Sequence, residues 1–118
     1  MRVLLKNIKL VENLNIVKSK ESVSVMLVTD GKVSIASADN LMDGRWWISR
    51  VKLQGVQTGK GFGSILLKKL LAEILSFGNT KIIVAPGGYG ENTIQQFNFY
   101  KKNGFVDTKE TGLLIYKI

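Results

Sequence analysis

Between Arg45 and Ala85 the chain reads as strand, helix, strand, and that order constrains the fold more than any other feature of the sequence. Arg45–Leu53 (RWWISRVKL) carries apolar residues in alternation at Trp46, Ile48, Val51 and Leu53, with a phase slip between Ile48 and Val51 that suits a β-bulge. Ser64–Phe77 (SILLKKLLAEILSF) then places Ile65, Leu66, Leu70, Ile74 and Phe77 on one helical face, widened by Leu67, Leu71 and Leu75. Lys68, Lys69 and Glu73 lie opposite, and Gly78 follows as the C-cap. Lys81–Ala85 (KIIVA) is short and continuously apolar, the pattern of a strand covered on both faces. Such a crossover is right-handed and makes its two strands parallel in part.

The flanking segments complete a mixed sheet. Ser22–Val28 (SVSVMLV) and Lys32–Ser37 (KVSIAS) flank Asp30-Gly31, which predicts an antiparallel hairpin leading into the Arg45–Leu53 strand as a meander. Val3–Ile16 fits a strand with a turn or a short helix equally well, and an edge strand is expected near residues 2–10. A second helix is expected over Thr93–Asn103, and a terminal hairpin over Phe105–Ile118 with Thr111-Gly112 near its turn. The predicted class is α/β (α+β): a mixed, mainly antiparallel sheet around a central βαβ unit. With no repeat or linker composition, residues 1–118 read as one domain.

Composition removes several chemistries. The chain has no His and no Cys, so a Ser-His-Asp or Cys-His nucleophile, an imidazole or thiolate metal cage and a disulfide frame are all excluded. Reaction chemistry falls to hydroxyls, amines, carboxylates, amides and the backbone. No apolar run reaches the roughly 18 residues of a membrane span, and a cytoplasmic protein without a membrane partner is the expectation. The 17 Lys and Arg against 9 Asp and Glu give a net charge of +8, which favours an anionic partner: nucleic acid, an acidic protein or a multiply phosphorylated cofactor.

The most informative stretch is Gln57-Thr58-Gly59-Lys60-Gly61-Phe62-Gly63-Ser64, between the third strand and the leucine-rich helix. Glycines on alternate residues clear Cβ atoms from the turn, so backbone N–H groups can converge on an anion. The helix start adds the positive end of its dipole, and Lys60 adds a full charge. The spacing is neither that of an NTP-binding P-loop nor the G-x-G-x-x-G dinucleotide fingerprint. On the turn alone, a phosphate site and a tight turn with no ligand both stand.

Read with its surroundings, the sequence resembles the GNAT superfamily of acyl-CoA-dependent N-acyltransferases. Two motifs carry the resemblance. Thr58-Gly59-Lys60-Gly61-Phe62-Gly63 matches the family's [QR]-x-x-G-x-[GA] loop, and Phe99-Tyr100-Lys101-Lys102-Asn103-Gly104-Phe105 matches its FYxKxGF segment about forty residues later. The resemblance implies that Thr58, Gly59, Lys60, Gly61, Phe62, Gly63 and Ser64 bind the pyrophosphate of acetyl-CoA, and that Leu53, Gln54 and Gly55 face its pantetheine arm and thioester. It further implies a cofactor contact from Asn92 and a proton from Tyr100 to the departing thiolate. The implied activity is direct transfer of an acetyl group to an amine on a small molecule or protein, which needs no protein nucleophile.

The sequence also departs from the family. Thr58 stands where Gln or Arg is usual, with Gln57 one residue earlier. The family places two helices between its first and second strands, whereas about ten residues separate Leu10 from the hairpin here. That implies a truncated N-terminal helical region and an acceptor site that is shortened or built differently. Glu91, Asp43 or an ordered water are the candidate bases. Other readings remain beside these. Outside its motif Tyr100 reads as a core aromatic, Asn92 as a helix N-cap and Thr93-Ile94-Gln95-Gln96 as a capping box. Trp46 and Trp47 face opposite ways, one to the core and the other to an acceptor groove or a homodimer contact. The Gly87-Gly88-Tyr89-Gly90 loop is either part of a ligand crevice or a plain connection. The alternative function is a non-catalytic basic GNAT-fold module for nucleic acid or a protein partner.

Overall fold

The computed structural model describes residues 14–29, 31–53, 61–78, 80–86 and 93–117. These form seven strands, β1 (Leu14–Lys18), β2 (Ser22–Thr29), β3 (Lys32–Asn40), β4 (Arg45–Lys52), β5 (Lys81–Val84), β6 (Phe105–Asp107) and β7 (Leu114–Tyr116). Two helices accompany them, α1 (Phe62–Leu75) and α2 (Thr93–Lys102). The strands make one sheet in the order β1-β2-β3-β4-β5-β7-β6, and its pairings are antiparallel except for β4 with β5. The hairpin, the meander, the parallel crossover pair and the terminal hairpin all form as the sequence predicts. The expected edge strand near residues 2–10 lies outside the described residues.

Alternation sets the faces. Val23, Val25 and Leu27 of β2 point inward beside Ala36 and Ala38 of β3, and α1 lies across β2, β3 and β4. Alanines beneath the helix leave room for Leu66, Leu67, Leu70, Leu71 and Ile74, all buried, to fill the interface. The bulge also forms where the phase slip places it. Ser37 pairs with Arg50 and Ala38 with Ile48, so Ser49 is the extra residue, its hydroxyl donating to Ser37 O at 3.0 Å. The slip restores Val51 to the inner side and puts Trp47, Arg50 and Lys52 on the outer one.

The end of α1 differs from the sequence reading. The helix stops at Leu75 with Ser76 as its C-cap, and Gly78, at φ +120°, comes two residues later. Bonds from Phe77 N–H to Ile74 O (3.1 Å) and from Gly78 N–H to Leu75 O (3.0 Å) tighten the last turn and swing Phe77 off the helical face. It stacks instead on Trp46 at 5.7 Å between ring centroids, with Lys18 Nζ 5.0 Å from its own ring centre. Ile94 of α2 is likewise exposed rather than packed.

Candidate functional site

The parallel junction is short. β4 and β5 pair only at Arg45↔Lys81, Trp46↔Ile82 and Trp47↔Ile83, although β4 continues to Lys52 along β3. The bulge at Ser49 comes two residues after the last of these pairs, and a bulge bends its strand. Beyond that point a cleft of about 950 Å³ opens between β4 and β5, at the carboxyl ends of the parallel pair, where ligand crevices form in such sheets. Its walls run from Trp47 to Leu53 on one side and from Val84 to Pro86 on the other, closed by Gly63 of α1 and by Gln95, Gln96, Phe99 and Tyr100 of α2.

The start of α1 stands against this cleft. Gly61 is the N-cap at φ +79°, a conformation that favours glycine, and no side chain caps the helix. Ile65 N–H donates to Gly61 O at 3.2 Å, so the amides of Phe62, Gly63 and Ser64 have no acceptor inside the helix. Gly63 has a packing role too: a Cβ there would sit 3.2 Å from Phe99 Cε1 and 3.5 Å from Leu53 Cδ1. Asn103, at the end of α2, donates through Nδ2 to Ser64 Oγ at 3.1 Å and to Phe99 O at 2.8 Å. One amide thereby ties the first turn of α1 to the last turn of α2.

Tyr100 is a core aromatic that also borders the cleft. Its ring is buried, edge-on to Phe99 at 5.1 Å and to Phe105 at 5.4 Å, while the residue lines the cleft. Burial pushes its phenol pKa up to about 12, so the hydroxyl stays protonated at neutral pH. Trp46 is the core tryptophan and Trp47, half-buried, lines the cleft.

Of the residues expected at the site, Leu53, Gly63 and Tyr100 come together at the cleft, and Gly61, Phe62 and Ser64 stand at the adjoining helix start. Gln54, Gly55, Thr58, Gly59, Lys60 and Asn92 lie outside the described residues, as do Glu91 and the Gly87–Gly90 loop. Asp43 does not join them. It precedes the other end of β4 and pairs with Arg45 at 2.7 Å, whose guanidinium holds the carboxyl below its ordinary range. Sequence reasoning missed the bridging role of Asn103, which was legible only as a letter of a motif, and missed Arg50 and Lys52, whose alternation about the bulge was the available signal.

No family profile and no curated protein matches the chain. Solved structures do. The PaiA N-acetyltransferase of Thermoplasma acidophilum, in complex with coenzyme A, aligns over 99% of this chain and 70% of that one, at 18% identity and a TM-score of 0.66. The fold is that of the GNAT acetyltransferases. A GNAT family acetyltransferase of Elizabethkingia anophelis with acetyl-CoA bound aligns over 100% of this chain and 84% of its own, at 14% identity and a TM-score of 0.66. The IAA acetyltransferase of Bacillus cereus covers 84% and 79% respectively, at 18% identity and a TM-score of 0.68. Within this GNAT fold, the described residues hold no group of three or more His, Cys, Asp or Glu suited to a metal, and no helix long and apolar enough to cross a membrane.

Proposed function

We propose that this GNAT-fold domain is an acetyl-CoA-dependent N-acetyltransferase that acts by direct attack of an amine on the thioester. The observation that carries the reading is the cleft between β4 and β5 with the uncapped start of α1 beside it. A diphosphate suits that corner, since three amides lack helical acceptors and the dipole end is positive. Gly63 has no Cβ on the side where Phe99 and Leu53 pack, which lets both side chains close in on the helix start. Phe62, Gly63 and Ser64, with the preceding loop from Thr58, would hold the phosphates, and Leu53 with Gln54 and Gly55 the thioester end.

When bound, acetyl-CoA supplies a thioester whose C–S bond breaks as the acceptor's N–C bond forms, the proton lost by nitrogen ending on sulfur. Backbone N–H groups near Leu53 would polarise the carbonyl. Tyr100 presents a phenol whose pKa of about 12 lies above the thiol range near 8.5, so Oη serves as a hydrogen-bond donor to the departing sulfur and keeps most of its proton. Calorimetry tests the reading: acetyl-CoA should bind the folded protein with a Kd below about 1 mM, and no heat at that concentration overturns it.

A further inference from the structure

The cleft passes between two strands, and its two sides differ in charge and cover. On the helix side stand Gly63, Phe99 and Tyr100. On the other side the bulge brings Trp47, Arg50 and Lys52 onto one face of β4, opposite the face that carries the buried Trp46 and Ile48. Arg50 and Lys52 are both exposed, and neither makes an ion pair with a described residue. No carboxylate is among the described residues lining the cleft. Asp39 pairs with Trp47 across the β3–β4 ladder, at the end away from Lys52.

We infer that the face of the cleft formed by Trp47, Arg50 and Lys52 receives an acceptor that carries an anionic group, a carboxylate or a phosphate, along with its amine. This rests on the transferase reading for the amine, but not for the anion. Two cations with no ion-pair partner among the described residues, two residues apart on a strand, point the same way, and guanidinium offers a forked donor set to either oxyanion. A polycationic acceptor, such as a lysine-rich tail or a diamine, meets like charge there instead. The flat indole of Trp47 bounds the same side and supplies apolar contact for the carbon chain between the two ends.

Matched amines separate the possibilities: β-alanine against β-alaninamide, 2-aminoethylphosphonate against ethanolamine, and 1,3-diaminopropane as the dication. Each is titrated against the full chain with and without acetyl-CoA, following the indole N–H signal of Trp47 by NMR. The acid-bearing member of at least one pair should shift that signal at roughly ten-fold lower concentration than its twin without the acid group, and the pair that does so tells carboxylate from phosphonate. The exposed double substitution R50Q/K52Q should shrink the ratio to about two-fold or less. Equal titration by the twins without the acid group, tighter binding of the diamine, or no shift from any amine at tens of millimolar overturns the inference. If the anion preference holds while calorimetry finds no acetyl-CoA binding, the transferase reading falls and the anion site stands.

Discussion

At the scale of single residues, two side chains in one seven-residue motif divide the work. Tyr100 lines the cleft from within the core, and its phenol is neutral across the physiological range. Tyr100→Phe should lower the maximal acetylation rate roughly 10- to 100-fold, the worth of one hydrogen bond to a developing thiolate, with the KM for acetyl-CoA held within about two-fold. Steady-state kinetics by thiol release check this, and an unchanged rate removes Tyr100 from the chemistry. Asn103 is not among the residues lining the cleft but joins Ser64 to the carbonyl of Phe99. Asn103→Ala should cost about 1 to 2 kcal/mol of stability, seen as a fall of several degrees in Tm. It should also weaken acetyl-CoA binding more than it slows turnover, which a loss of stability alone would not do. The motif announced Tyr100 in the sequence; nothing local announced Asn103, because its partner Ser64 is 39 positions away and the pairing exists only once the helices meet.

At the scale of elements, the strands and helices were largely legible because their periodicities are strong. Asp30-Gly31 between β-branched runs marks the hairpin, and the slip between Ile48 and Val51 marks the bulge. The end of α1 was not legible, since a leucine-rich face continues in letters to Phe77 while the backbone tightens after Leu75. Stacking on Trp46, from a distant strand, decides where that ring goes. The cleft itself was half legible. Gly63 and Tyr100 stand in motifs, whereas the charge on its outer face depends on which way a bulge turns the residues after it. The junction of α2 and β6 yields a further prediction. Gly104 leaves the helix at φ +98°, and a Cβ there would stand 2.9 Å from Tyr116 Cε1. Gly104→Ala should destabilise by about 1 to 3 kcal/mol in chemical denaturation, through left-handed strain and displacement of the Tyr116 ring. That glycine of the motif therefore has a folding role independent of any ligand.

At the scale of the whole molecule, alkali is the informative stress. The folded pKa of Tyr100 lies above its unfolded value, near 10, so below pH 10 both states hold the proton and stability is at its full level. Between pH 10 and about 12 the unfolded chain releases that proton while the native state retains it, and stability falls by roughly 2 to 3 kcal/mol. Denaturation midpoints measured at pH 9 and pH 11 should show about half of this loss, and Tyr100→Phe should flatten it. The sheet has a further consequence for how the molecule moves as a body. Four strands form one leaf and three the other, and β4 and β5 bind them along a spine of three residue pairs. A spine that short sets the scale on which the two leaves flex, and the exchange rates of the Ile82 and Ile83 amides register it. Any guest gripping both leaves acts as a clasp, so it should slow exchange along a binding edge that it never touches.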